Sequence, residues 1–325
     1  MAIRTRLTEE LGIGAPIFSA PMGFTAGGKL AAAVSRAGGF GFLGAGVGDT
    51  AWIDREFAAA DGARVGCGFI TWRLARTLER LDLALSHAPA ALMLSFGDPT
   101  PFAPRILAAG TKLICQVQTV AHARAALDCG ASVLVAQGTE AGGHGAQRAT
   151  MTLVPELADL LASESPRTLL VAAGGIADGR GLAASLLLGA DGVMIGTRFW
   201  TCPECLSHPG HQRAAIAANG DGTVRQIAAD IAEGWDWPAE FTGRVLRNSF
   251  VERWHGREAD HRTVAEAERP AYRAAFAEGR PDEIGVYAGE AVGLIHESLP
   301  AAEVLAQVVT EAETLLRVRA GTFLS

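Results

Sequence analysis

A chain of 325 residues, 49% hydrophobic and only 19% charged, holds enough apolar material for one large core, which excludes a disordered or fibrous protein. The formal net charge is −7 and no basic stripe with interleaved aromatic residues occurs, so nucleic acid is excluded as a partner. Residues 1–10 carry mixed charge without an apolar h-region, and the longest apolar runs, such as 182–188, are too short to cross a bilayer; the expectation is a cytoplasmic, soluble protein with no membrane contact.

Short β-rich apolar runs recur along the first two thirds of the chain, at 17–22, 40–45, 64–70, 91–96, 112–117, 132–137, 168–173 and 192–199. They are apolar on both faces rather than alternating, as expected of buried parallel strands. Helical patterns separate them, clearest at 29–37, 120–129 and 181–188. Eight alternating units predict an α/β fold, a closed (β/α)8 TIM barrel. An open doubly wound sheet is the alternative, and the lack of a G-x-G-x-x-G turn after the first strand weighs against it. Beyond residue 199 no strong strand is read. The expected organisation is a barrel over 1–205, a mostly helical C-terminal addition over 206–285 near the barrel mouth, and a segment 286–325 that packs back on the barrel. An amphipathic closing helix is expected over 299–318.

The active face of such a barrel lies at the C-terminal ends of its strands, so the residues after each strand matter most. Ala20-Pro21-Met22-Gly23 follows the first. After the sixth comes Gly138-Thr139-Glu140-Ala141-Gly142-Gly143-His144, where paired glycines allow close approach of a planar ligand and a histidine able to exchange protons near neutral pH follows them. Ala173-Gly174-Gly175-Ile176-Ala177-Asp178-Gly179-Arg180 follows the seventh and Gly196-Thr197-Arg198-Phe199 the eighth. Glycine N–H groups beside a helix N-terminus in these last two positions read as a phosphate cradle. A sugar phosphate, a nucleotide or a flavin nucleotide would each fit it. The five cysteines, Cys67, Cys115, Cys129, Cys202 and Cys205, are odd in number and scattered. The single C-x-x-C at Cys202 has no second pair, so no metal site is expected.

Together these segments, with Met194-Ile195-Gly196-Thr197-Arg198-Phe199 and a later Val286-Tyr287-Ala288-Gly289-Glu290-Ala291-Val292-Gly293-Leu294-Ile295, resemble the nitronate monooxygenase (2-nitropropane dioxygenase) family. The same broad group holds NAD(P)H:quinone reductases and FMN-dependent enoyl-thioester reductases. The likeness runs in order through about residues 15–205 and resumes at the late segment. It implies FMN as cofactor, with Gly174, Gly175, Gly196 and Thr197 on its phosphate and Ala20, Met22, Gln116, Gln137, Ala141, Gly142 and Gly143 along the flavin. His144 would be the catalytic base facing the substrate. The implied activity is oxidation of alkyl nitronates or nitroalkanes by O2 to a carbonyl compound and nitrite. NAD(P)H is the electron donor of the alternative reductase reading, and a homodimer is the assembly to test. The chain departs from many members at Gly68, Gln116 and Glu290, where asparagine, lysine and glutamine are frequent. A barrel of the inosine-monophosphate-dehydrogenase kind needs a cysteine nucleophile in an active-site loop, and the loop after the sixth strand has none. A non-catalytic phosphate- or flavin-binding protein is a further alternative, against which His144 beside the paired glycines argues.

Overall fold

Successive residues of a strand point to opposite sides, and in this chain both sides are apolar, so each strand must be covered twice. A computed structural model describes residues 3–319 and Thr322; the outermost residues of the two expected terminal segments lie outside the described residues. Eight parallel strands meet that demand by curling into a barrel: β1 (Ile17–Ser19), β2 (Phe42–Gly44), β3 (Gly66–Ile70), β4 (Ala91–Ser95), β5 (Lys112–Val117), β6 (Val133–Gln137), β7 (Leu169–Ala173) and β8 (Gly192–Ile195). From β2 onward each pairs with the next, β8 pairs with β1, and a bridge between Phe18 and Phe40 closes the ring between β1 and β2. The Phe40 N–H donates to the Ile17 carbonyl at 2.9 Å, and the Phe40 carbonyl accepts from the Ser19 N–H at 3.1 Å.

The strand alternation sorts the core into two clusters. Phe18, Phe40, Phe42, Met93, Ile114, Val133, Val135, Val171 and Met194 fill the barrel. Their neighbours Leu43, Cys67, Leu92, Leu94, Leu113, Leu134, Leu170 and Val193 face outward into the helical layer. The helix Arg6–Leu11 plugs the N-terminal end with Leu7 and Leu11. Towards the C-terminal end the inward positions change from Met93, Ile114 and Val135 to Ser95, Gln116 and Gln137. The core therefore stops where the polar floor begins.

All eight strands lie within the expected runs. The eighth stops at Ile195, short of residue 199, because Gly196 (φ −101, ψ −83) turns the chain into the helix Thr197–Trp200. The addition contains the helices Pro209–Ala217, Ala228–Glu233, Ser249–Trp254 and Glu258–Glu278. It also contains two strands that the sequence pattern did not reveal, Thr223–Gln226 and Thr242–Leu246. These pair antiparallel with each other, and Thr242–Leu246 also pairs antiparallel with Gly143–Gly145 in the loop after β6. Both are short and each carries an inward arginine, so they lack the apolar run that marks the barrel strands. The helix Ala301–Thr314 packs Val304, Leu305, Val308 and Ala312 against the barrel helices Gly28–Arg36 and Gly179–Leu187. Among the described residues, no helix is long and apolar enough to cross a membrane.

Candidate active site

The loop after β6 is held from outside by two arginines of the small sheet. Arg225 donates from Nε to the Thr139 carbonyl at 3.1 Å and from Nη1 to the Gly145 carbonyl at 3.2 Å. Arg244 donates from Nε to the same Thr139 carbonyl at 3.0 Å and pairs through Nη2 with Glu290 at 2.8 Å. Burial, with the charge of Arg244 behind it, lowers the Arg225 guanidinium to about 10, which leaves it charged at neutral pH. At Gly142 the loop touches the late segment: a Cβ there would lie 2.5 Å from the Gly289 nitrogen. Gly143 then takes φ +71, open to glycine at no steric cost, with nothing within 4 Å of where a Cβ would be.

This backbone delivers His144 to the cavity. Its Nε2 lies 2.8 Å from Asp230 Oδ1, and the two side chains are 8% and 4% exposed. A carboxylate acceptor requires the proton on Nε2, which leaves the lone pair of the neutral ring on Nδ1. Nδ1 bonds no described residue. Trp237 stacks on the imidazole with centroids 3.5 Å apart and planes 7° from parallel. The Tyr287 hydroxyl donates to the same Asp230 oxygen at 3.3 Å. Burial first, and then Asp230, holds that phenol well above its ordinary value, so it remains a donor. Phe96 stands edge-on to His144 and to Trp237 in a left-handed conformation, φ +65, that costs a non-glycine residue about 1–3 kcal/mol.

Below the histidine, polar side chains form a relay across the barrel. Gln137 Nε2 donates to the His144 carbonyl at 3.0 Å, while its Oε1 accepts from Gln116 at 2.8 Å and Gln118 at 3.0 Å. Gln116 thus takes up a bond to a neutral amide. Glu290 is held by Arg244, and Gly68 has no room for a side chain, since a Cβ would lie 2.4 Å from Pro21 Cβ.

Gly174 and Gly175 both take positive φ, +102 and +74, directly after β7. Their backbone N–H groups, and that of Gly196, donate to no acceptor among the described residues. A Cβ on Gly196 would approach only Ala20 at 3.7 Å and Met22 at 3.9 Å, so this position borders open space. The helix Gly179–Leu187 does not contribute its N-terminus as the sequence pattern suggested. Asp178 accepts from the Arg180 and Gly181 N–H groups, and Glu311 accepts from Gly179 at 2.8 Å. Two carboxylates already satisfy that helix end, and they would repel an anion. The unspent glycine N–H groups are the part of the expected cradle that suits a phosphoryl group.

His144 and every expected cofactor position, Ala20, Met22, Gln116, Gln137, Ala141, Gly142, Gly143, Gly174, Gly175, Gly196 and Thr197, line one cavity of about 550 Å³. That volume suits a nucleotide-sized ligand. Sequence reasoning missed Asp230, Trp237, Phe96 and Tyr287. Only Tyr287 carried a signal, through the late segment. The Cys202-x-x-Cys205 pair lies elsewhere, both thiols buried and unbridged, with burial pushing Cys202 up to about 12.

Comparison with known proteins points the same way. The family model for nitronate monooxygenase matches residues 4–63 and 68–311. A nitronate monooxygenase of Neurospora crassa is 32% identical, with 93% of this chain and 90% of the relative covered. The structure of FabK from Thermotoga maritima superposes with a TM-score of 0.88 at 28% identity, covering 99% of this chain and all of that one. A nitroalkane oxidase from Streptomyces ansochromogenes does so with a TM-score of 0.79 at 26% identity, covering 99% and 100%. The barrel, the ordered motifs and these matches establish that the chain is an oxidoreductase that belongs to the nitronate monooxygenase family.

Proposed function

We propose that this protein catalyses the FMN-dependent oxidation of alkyl nitronates or nitroalkanes by O2, giving a carbonyl compound and nitrite. The observation that carries the reading is an imidazole fixed at one nitrogen, with the other free, in the same cavity as a glycine cradle. Gly174, Gly175, Gly196 and Thr197 would hold the phosphate of FMN. Ala20, Met22, Gln116, Gln137, Ala141, Gly142 and Gly143 would lie along its ring system. Bound there, FMN supplies acceptance of the electrons that the substrate gives up.

The chain supplies the rest. His144 Nδ1 takes the α-proton of a nitroalkane, or in its protonated form attracts a nitronate already deprotonated. The Gln116–Gln137 relay fixes the backbone that carries it. Trp237, Phe96 and Tyr287 wall the imidazole off from bulk water, which strengthens each polar contact inside. Residues 206–285 would form the substrate-side cover.

The test is the purified protein itself. A yellow preparation that releases FMN on denaturation, consumes O2 with propyl-2-nitronate and forms nitrite is the expected result. Rapid anaerobic bleaching by NADH, with no O2 uptake on the nitronate, would instead establish an NAD(P)H-dependent reductase on the same barrel.

A further inference from the structure

Asp230 is a buried carboxylate with an unusual set of neighbours. Its Oδ1 accepts from His144 Nε2 and from the Tyr287 hydroxyl, while Oδ2 is buried with no hydrogen-bond partner. Among the described residues no lysine or arginine forms an ion pair with it. Glu233, Tyr272 and Tyr287, which also feel its charge, are not cationic. Arg225 and Arg244, on the adjoining strands, spend their charge on Thr139, Glu290 and Glu140. An uncompensated buried carboxylate is costly, and among the described residues the group hydrogen-bonded to it that can become a cation is the imidazole of His144.

We infer that Asp230 is a positioning residue that commits this site to neutral nitroalkanes, by making His144 a base for a carbon-bound proton rather than only a receiver of preformed nitronate anions. This deepens the oxidase reading and rests on it. In the step concerned, the Cα–H bond breaks and its electron pair becomes the C=N bond of the nitronate. The nitro oxygens take up the negative charge, and the proton ends on His144 Nδ1. The imidazolium so formed lies 2.8 Å from the Asp230 carboxylate, which the structure has already desolvated and aligned. For a substrate that arrives as an anion no proton has to be removed, and the same carboxylate only supports the charged form of His144 that attracts it. The two substrate forms therefore depend on Asp230 to different degrees.

The experiment compares nitroethane with preformed ethyl nitronate in the FMN-loaded wild-type enzyme, in Asp230→Asn and in Asp230→Glu. Asp230→Asn is expected to lower kcat/KM for nitroethane by about 10²–10⁴-fold, mainly through kcat, while lowering that for the nitronate by no more than about tenfold, through KM. Asp230→Glu, which restores the charge at a shifted position, should recover about tenfold of the loss. Wild-type turnover of 1,1-dideuterated nitroethane should show a primary isotope effect. Equal losses on both substrates, or no loss on either, would overturn the assignment. So would a wild-type enzyme that oxidises the nitronate but not nitroethane, and that result would leave the family reading intact. A wild-type enzyme inactive on the nitronate would remove the oxidase reading itself. If both variants shed FMN, Asp230 holds the cofactor site together and the positioning assignment is overturned.

Discussion

The two ends of the barrel are built from the same strands and do opposite things. At the N-terminal end large side chains fill the interior: the rings of Phe18, Phe40 and Phe42 meet at 5.1–5.5 Å in space left by Gly66, and Leu7 and Leu11 seal them from below. At the C-terminal end bulk is withdrawn at Gly68, Gly143 and Gly196, polar side chains replace apolar ones, and Phe96 is held in a strained conformation. One end is organised for packing density and the other for a ligand. The difference teaches where a substitution should register: as lost stability below, as lost chemistry above.

The sharpest test of that division is His144→Asn. It should lower turnover of a neutral nitroalkane by about 10²–10⁴-fold while FMN content and melting temperature stay near wild type. Wild-type turnover by this variant would remove His144 from the base role. The mirror experiment is Phe18→Ala. The emptied space cannot be refilled by the neighbouring rings without strain, so it should cost about 3–5 kcal/mol of stability in denaturant titration, with kcat/KM per folded, FMN-loaded molecule unchanged. A large change in kcat/KM there would break the comparison.

A smaller effect is expected at Gly196→Val. The position borders open space and takes negative φ, so the apoprotein should melt within a few degrees of wild type. The new methyl groups would occupy the proposed phosphoryl site, and FMN affinity measured by fluorescence quenching should weaken about tenfold or more. Unchanged affinity would remove this glycine from the cradle.

These sites differ in how far the sequence announces them. The barrel strands were legible because runs such as Val133–Gln137 and Leu169–Ala173 must be apolar on both faces, a pattern local to a few residues. The place of Gly174, Gly175 and Gly196 on the cavity wall was legible because they follow those strands at once. Asp230 was not, since its partner lies 86 positions away and one carboxylate on a short helix looks like any surface acid. The small strands were hidden for a related reason. Thr242–Leu246 pairs with Gly143–Gly145, whose sequence advertises a loop, and hydrogen bonds to a backbone leave no side-chain signature.

The smallest expected effect concerns acid stability, and it also separates the two ends. His211 lines the cavity from the addition, is 2% exposed, and has Nε2 buried without a partner. Burial, helped by the neighbouring His208, lowers its pKa from 6.5 to about 4. The unfolded chain therefore binds a proton more readily than the folded one between those values. Stability contributed by the neutral ring is fully present above pH 6.5 and is lost as pH falls through 4, where the folded protein must also accept the charge. After allowance for solvent screening this amounts to about 1–2 kcal/mol. His211→Gln keeps a neutral side chain of similar reach, so the difference between wild-type and variant unfolding free energies should change by that amount across the window and be flat above it. The packed end offers a control, since Phe18→Ala should displace the whole stability curve without altering its slope between pH 6.5 and 4. A wild-type-minus-variant difference that is constant across that window would show that the His211 imidazole is solvated and that the open end carries no acid-sensitive contact of this kind.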